Sequence, residues 1–117
     1  MATIRAYTTI EQSRKLAEIL PLESADMKYI CVDICKGLKY MPEPRFIKNI
    51  PDHADEYDVS AWSLAALLGV LPKYEIYNNG ETIQLDVNPE ALATEGDEVL
   101  LDLVVNMIIH LHELNLL

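Results

Sequence analysis

The closing stretch of the chain, Glu98–Leu117 (EVLLDLVVNMIIHLHELNLL), constrains the fold more than any other. On a helical wheel its apolar residues sweep roughly 200° without a charge, whereas a helix that lies on one sheet needs only about 100°. The residues of this apolar arc are Leu100, Leu101, Leu103, Val104, Val105, Met107, Ile108, Leu111 and Leu114. The stretch therefore predicts a central helix that can be covered from two directions, by the chain's own core and by a second subunit.

Length and composition predict a single globular domain over residues 1–117. Half of the 117 residues are apolar and a quarter are charged, which is typical of a folded chain. Asp102 and Glu113 interrupt the closing stretch, so no apolar run reaches the roughly 18 residues of a membrane span. The opening MATIRAYTTIEQ lacks the apolar region of a signal peptide, and two cysteines are too few for a disulfide scaffold. We therefore expect a cytoplasmic protein that does not engage a membrane.

The charge is unevenly spread along the chain. Residues 1–48 contain 8 Lys and Arg against 6 Asp and Glu, while residues 49–117 contain 1 against 13. Nucleic-acid binding depends on clustered basic residues, so we do not expect direct binding to nucleic acid, and an electrostatic partner should be basic. The alternative is that the acidic residues simply keep a small apolar protein soluble.

The order of the local patterns predicts an α+β fold, with a small antiparallel sheet and about three helices packed mainly on one face. Ile30, Val32 and Ile34 alternate with Tyr29, Cys31, Asp33 and Cys35, which indicates a strand with a β-branched apolar face. The run SAWSLAALLGVLP indicates a buried helix. Before the closing helix, the predicted elements are a helix over 9–20 with Thr8 as N-cap, a strand over 28–36, a short edge strand over 45–50, a helix over 61–71 capped by Ser60, and a hairpin over 74–87.

The hairpin is the clearest local prediction. Asn79-Gly80 is a favoured pair for a two-residue type I′ turn, which requires a positive φ at both positions. A turn there pairs Ile76 with Ile83 and Tyr74 with Leu85. These four apolar side chains then share one face, and we expect that face to lie against the core.

Three phrases of the chain carry a family resemblance. TTIEQSRKLAEILPLESADM, AWSLAALLGVLP and VVNMIIHLHEL resemble a group of short uncharacterised proteins encoded in bacterial and phage genomes, over most of the chain. The phrases concern packing and contain no catalytic signature. The resemblance implies the same architecture and a phage or prophage origin, and it implies no activity.

The cysteine and histidine residues favour structural roles over a metal or redox site. Cys31 and Cys35 would lie about 13 Å apart on one face of a strand, too far to share a metal or form a disulfide, so we interpret them as small buried or half-buried thiols. On a helix they would be neighbours, but zinc would need two further ligands. His110 and His112 point about 160° apart on a helix, so they are typical of boundary residues near a helix C-terminus and not of a chelating pair.

The acidic run over residues 52–58 (DHADEYD) is a weaker candidate for a site. It lacks the alternating ligands and central glycine of a calcium loop. A His53–Asp acid–base pair would need a nucleophile beside it, and the sequence ties none to it. We interpret the run as a solvated loop.

No catalytic set converges, and apolar helical surface exceeds what one small sheet covers. We therefore predict a non-enzymatic accessory protein that acts through protein–protein interaction, without cofactor or metal. The alternative is an acidic decoy or inhibitor that occupies the basic site of a nucleic-acid-handling protein. An enzyme with an unrecognised site is a third hypothesis. It would need a pocket lined by His53 and the nearby acidic residues.

We further expect a two-fold homodimer formed through the closing helix or the Trp62 helix. A competing account is that residues 41–59 fold over the apolar surface. Trp62 itself could line a ligand pocket, but large aromatic residues at helix starts more often fill the core, which is our interpretation. The candidate interaction residues are Trp62, Leu101, Val104, Val105, Ile108 and Leu111.

Overall fold

The computed structural model describes residues 5–35, 37–49 and 57–117. The described residues form three α-helices and three small antiparallel sheets, so the predicted α+β class is confirmed. We expected one sheet, whereas the described strands form three, with strand orders β4-β1-β5, β2-β3 and β6-β7-β8. The helices are α1 (Ile10–Ala17), α2 (Leu64–Val70) and α3 (Leu100–Glu113), and the strands are β1 (Met27–Tyr29), β2 (Cys31–Asp33), β3 (Lys39–Tyr40), β4 (Arg45–Phe46), β5 (Val59–Ala61), β6 (Glu75–Asn78), β7 (Ile83–Val87) and β8 (Glu90–Ala93).

The contacts cluster into two compact units. The amino-terminal unit is Tyr7–Ala66, and the carboxy-terminal unit is Leu67–Leu117 together with Met1–Ala6. The single domain that the length suggests stays a prediction. Among the described residues, no helix is long and apolar enough to cross a membrane.

A buried polar network organises the amino-terminal unit around Thr8. The Thr8 hydroxyl accepts a hydrogen bond from the Trp62 N–H at 3.1 Å and lies 2.7 Å from the Ser13 hydroxyl. The Thr8 N–H donates to the Trp62 carbonyl at 3.0 Å, and the Tyr29 hydroxyl donates to the Thr8 carbonyl at 2.7 Å. Thr8 therefore joins α1 to β1 and to the segment after β5, and it is fully buried.

Helix α1 begins one residue later than predicted. Thr9 is its N-cap in place of Thr8, and Thr9 and Gln12 form a capping box. The Thr9 side chain accepts from the Gln12 N–H at 3.1 Å, while the Gln12 side chain accepts from the Thr9 N–H at 3.0 Å. The prediction of Thr8 as the cap was wrong because the Thr8 hydroxyl is used inside the core.

The predicted strand over 28–36 divides into two strands that belong to different sheets. Strand β1 pairs with β4 and β5, whereas β2 pairs with β3. The Asp58 carboxylate accepts the Cys31 N–H at 2.9 Å, so the chain leaves the first sheet after Tyr29. Tyr29 is buried and Val32 is 62% exposed. The prediction that the face of Ile30, Val32 and Ile34 is the buried one was therefore wrong.

An edge strand was predicted over 45–50, and only the first two of these residues form a strand. Strand β4 (Arg45–Phe46) lies at the edge of its sheet, and Ile47–Asn49 forms a 3₁₀ turn. Ile50 lies outside the described residues.

Helix α2 is shorter than predicted. Ser60 and Ala61 belong to β5, and the cap is Ser63, whose hydroxyl accepts the Ala66 N–H at 3.2 Å. Asp26 holds Ser63 in place, accepting its N–H at 2.8 Å. Leu67 is the buried residue of α2, so the expectation of a buried helix was wrong.

In the carboxy-terminal unit, α3 packs on β7 and β8. Most of the predicted apolar arc is buried, and its members Leu100 and Leu114 lie nearer the surface. Arg5 forms an ion pair with Asp102 in the first turn of the helix. The three strands run as an antiparallel meander, and the turn at Asn88 and Pro89, with a cis peptide bond, leads into β8.

The hairpin exists, but its register differs from the predicted one by two residues. Ile76 lies opposite Leu85 and Asn78 opposite Ile83, which leaves residues 79–82 as the loop. Among the described residues Gly80 has a φ of +92°, whereas Asn79 does not have a positive φ. The type I′ turn was therefore wrong.

Asparagine side chains account for the different turn. The Asn79 side-chain oxygen accepts the N–H groups of Glu81 at 3.0 Å and Thr82 at 2.8 Å, and the Asn78 oxygen accepts the Gly80 N–H at 2.9 Å. Such local bonds offer the backbone an alternative to the tight hairpin turn.

A two-residue shift keeps each side chain on its predicted face, because side chains alternate with a period of two. Leu85 and Val87 are accordingly buried. Tyr74 and Ile76 share that face but are exposed, so the expectation that they lie against the core was wrong.

Candidate protein-interaction surface

The six residues predicted to form an interaction surface all lie in the interior of one chain. None of them is more than 3% exposed. Trp62 fills the core, and its indole N–H donates to the Ser24 hydroxyl at 3.0 Å. A partner of the folded chain cannot reach these side chains, so an interaction surface has to be sought elsewhere. The six residues are Trp62, Leu101, Val104, Val105, Ile108 and Leu111.

Strand β6 presents an open edge. It pairs with β7 on one side and with no other described strand on the other. The Asn79 N–H bonds the Thr82 carbonyl at 3.2 Å, which makes the next pair inward, Asn78 and Ile83, a non-hydrogen-bonded one. By the antiparallel alternation, Tyr77 and Glu75 direct their N–H and C=O groups toward β7. The backbone groups of Ile76 and Asn78 therefore point outward.

The second pair of strands supports the same register. The Thr94 N–H donates to the Ile83 carbonyl at 2.9 Å, so Ile83 and Leu85 direct their backbone groups toward β8. Gln84 and Asp86 are then left to bond β6, as the first pair requires. Two independent hydrogen bonds thus place the same donors and acceptors at the outer side of β6.

Large side chains accompany this open backbone. Tyr74 and Ile76 are about 36–38% exposed, and Tyr77 is 50% exposed. We use the name β6 edge for the outward backbone of Ile76 and Asn78 together with the side chains of Tyr74, Ile76 and Tyr77. Strand edges of this kind are templates for pairing with another chain.

A groove with acidic side chains lies beside the β6 edge. Its volume is about 640 Å³, and it runs from the segment before β6 to the turn between β7 and β8. Its charged residues are Glu75, Asp86 and Glu90 against Lys73. Glu75 and Asp86 are directly opposite each other on adjacent strands, an arrangement that like charges make unfavourable. We name this feature the acidic groove.

Tyr77 reports the negative potential at the outer face of the sheet. Its hydroxyl donates to the Glu75 carboxylate, and this hydrogen bond, with the nearby charges of Glu75 and Asp86, raises the pKa of Tyr77 above its usual value. Loss of the phenolic proton would add a third negative charge there. The face therefore favours positive charge in a ligand.

In the part of the chain that the structure describes, the other candidates from the sequence do not converge on a site. Cys31 in β2 is half-buried and Cys35 is exposed, and both are free thiols. Among the described residues there is no group of three or more His, Cys, Asp and Glu side chains that could hold a metal ion. His110 lies 2.9 Å from a Glu90 oxygen, whereas His112 is exposed.

The acidic run falls largely outside the described residues. Residues 51–56, including His53, are not described, so neither the solvated-loop interpretation nor a His53 pocket is tested. The segment 41–59, proposed to cover apolar surface, is described only in part. Its described member Asp58 accepts the Cys31 N–H and thereby has a structural role.

The sequence did contain a signal for the β6 edge. The predicted hairpin ends at residue 87, whereas Asn88 and Pro89 form a turn that leads into a third strand, β8. With β8 recognised, β7 becomes the central strand and β6 an edge strand. Alternation alone could not show that Tyr74 and Ile76 would remain uncovered.

No family model, curated protein or solved structure matches the chain. The resemblance to short bacterial and phage proteins therefore stays an expectation, and the function has to be argued from the geometry of the chain itself.

Proposed function

We propose that the chain is a non-enzymatic accessory protein that binds another protein through the β6 edge. The observation that carries this proposal is the outward backbone of Ile76 and Asn78 beside exposed apolar and aromatic side chains. Natural sheets usually protect such edges with lysine, proline or a covering segment. Strand β6, with the sequence EIYN, has no lysine and no proline.

The composition of the edge supports binding to protein. Tyrosine offers a large, rigid contact surface with a polar end, and aromatic residues are enriched where partners meet. Main-chain bonds along an open edge supply affinity, and the alternating side chains supply selectivity. Both components are present within the four residues of β6 and the adjoining Tyr74.

Comparative capture from an extract of the native cells tests the proposal. The tagged wild-type chain is compared with Ile76→Lys, which places a charge at the edge, and with Leu22→Lys. Leu22 is an exposed apolar residue of the other unit and so provides the matched control. We expect a partner that the wild type and Leu22→Lys retain equally and that Ile76→Lys loses about tenfold or more. The proposal fails if every captured protein is retained equally by all three chains.

An acidic decoy of a basic nucleic-acid-handling protein is the second candidate function. It is favoured by the excess of acidic residues in 49–117 and by the carboxylates of the acidic groove. A decoy would compete with nucleic acid for its target, and its binding would weaken steeply as salt increases. Apolar contact at the β6 edge would tolerate salt and would not compete with nucleic acid.

Self-association stays a prediction, with its surface changed. Because the six predicted residues are buried, a two-fold dimer would have to use another surface. Light scattering distinguishes the 13.2 kDa chain from a particle of twice that mass. A phage or prophage origin also stays a proposal, supported only by the resemblance of the three sequence phrases.

A further inference from the structure

We propose that the β6 edge accepts an extended, basic segment of a partner protein as an added strand, with basic side chains over Glu75 and Asp86. This inference rests on the proposed function and specifies the partner. The segment would alternate basic residues with apolar ones. The argument joins three features of the carboxy-terminal unit: its open backbone, its two different faces and its charge.

The backbone sets the form of the ligand. The N–H and C=O groups of Ile76 and Asn78 are two donors and two acceptors along one edge, spaced two residues apart. A helix satisfies its own backbone groups internally and has none to offer along its length, whereas an extended segment has them at the same spacing. The edge therefore selects a strand.

The two faces of β6 set the side-chain pattern of the ligand. Ile76 lies on the face that also carries Leu85 and Leu92, its neighbours across the sheet. Glu75 and Tyr77 lie on the opposite face, beside Asp86 and Gln84. An added strand projects its own side chains alternately to the same two faces. Apolar residues would then extend the Ile76 face, and basic residues would lie near the carboxylates.

Charge decides between a foreign segment and a second copy of this chain. Two copies paired through the β6 edge would bring together two sets of the same carboxylates, including Glu75 and the exposed Glu81 in the adjoining loop. A basic segment instead relieves the repulsion between Glu75 and Asp86. Electrostatic complementarity of this kind favours the basic partner.

The opposite edge of the meander, at strand β8, offers a partner less side-chain surface than the β6 edge does. Strand β8 is also at an edge, and its outward backbone belongs to Ala91 and Ala93 by the same alternation. Alanine side chains provide little surface for a partner. The large side chains and the carboxylates both concentrate at β6, so we place the added strand there.

Titration of the ¹⁵N-labelled full chain with synthetic peptides tests the inference. The probe is a six-residue peptide of alternating valine and lysine, capped at both ends. The controls are a valine–glutamate peptide, a peptide with the same valines and lysines in two blocks, and the alternating peptide carrying N-methyl groups along one edge. We expect saturable shifts at the amides of Ile76 and Asn78 with the alternating basic peptide, and about tenfold weaker binding of each control.

Charge-neutral variants separate the electrostatic part. Glu75→Gln combined with Asp86→Asn should weaken binding of the basic peptide about tenfold and flatten its salt dependence. Asp97→Asn combined with Glu113→Gln removes the same charge from exposed positions of the same unit and should leave binding within about twofold. Circular dichroism of each variant checks that the fold is intact.

Several outcomes would overturn the inference. Equal binding of the block peptide or of the N-methylated peptide would show attraction to charge without strand addition. Preference for the glutamate peptide, or no shift at β6 with any peptide, would also contradict it. If peptides fail but a captured partner still depends on Ile76, the proposed function stands and only the strand-addition inference is lost.

Discussion

Replacing Trp62 with alanine is expected to lower the free energy of unfolding by about 3–5 kcal/mol. The side chain is fully buried and is one of the largest of the core. Its removal leaves a cavity and takes away the donor to the Ser24 hydroxyl at 3.0 Å. Truncation of a packed aromatic residue costs both the lost transfer free energy and the cavity that remains.

Urea unfolding followed by circular dichroism measures this change. Fluorescence is unsuitable because Trp62 is the only tryptophan. Trp62→Phe keeps most of the buried surface but loses the Ser24 bond, so we expect it to fall between the wild type and Trp62→Ala. Tyr77→Ala, at an exposed aromatic residue, should change the free energy by less than about 1 kcal/mol. A loss below about 1 kcal/mol for Trp62→Ala would contradict the placement of Trp62 in the core.

Thr8→Val is the second substitution with a large expected effect, about 2–4 kcal/mol of the free energy of unfolding. Valine has nearly the same shape but lacks the hydroxyl. The Trp62 N–H and the Ser13 hydroxyl would each lose a buried partner, at a cost of about 1–3 kcal/mol for each group left unsatisfied. Volume is almost unchanged, so the effect isolates the hydrogen bonds.

Two matched substitutions check the cause. Thr8→Ser retains the hydroxyl and should cost clearly less than Thr8→Val. Thr9→Val removes only the N-cap of α1 and should cost about 1 kcal/mol. The same urea measurement ranks the three variants. If Thr8→Val and Thr8→Ser are equally stable, the Thr8 hydroxyl does not organise this unit.

Patterns that depend on burial over many residues were predicted well. The apolar arc of the closing stretch spans about 14 residues, and α3 buries most of it, because no alternative orientation hides so many apolar side chains. The class of the fold follows from the same long patterns. The extent of that arc suggested a second subunit. The chain itself nevertheless buries the six candidate interaction residues, which are Trp62 and five residues of the arc.

Short patterns failed where one polar side chain decides the local path. Thr8 and Thr9 are both acceptable caps, and only the tertiary bond to Trp62 selects Thr9. The side chains of Asn78 and Asn79 stabilise a longer turn, and the register of the hairpin differs from the predicted one by two residues. Asp58, distant in sequence, accepts the Cys31 N–H, and the first sheet ends after Tyr29. None of these choices can be read from periodicity.

An interaction surface stays a prediction, and the six residues that the sequence suggested for it are buried. An interaction surface and a basic partner were both expected from apolar excess and acidic charge. The sequence pattern points to the helices because their apolar residues outnumber those that one small sheet would cover. The open edge arises instead from topology, since the meander ends at β6 and no described strand pairs with its outer side.

Hydrogen exchange of the backbone amides of β6, measured by NMR in the free protein, tests the central claim most directly. The register places the amides of Glu75 and Tyr77 in bonds to β7 and leaves those of Ile76 and Asn78 pointing outward. We predict that the Tyr77 amide is protected at least about a hundredfold more than the Ile76 amide. Equal and strong protection of Ile76 and Tyr77, unchanged on dilution, would show that the edge is already covered within one chain and would contradict the account.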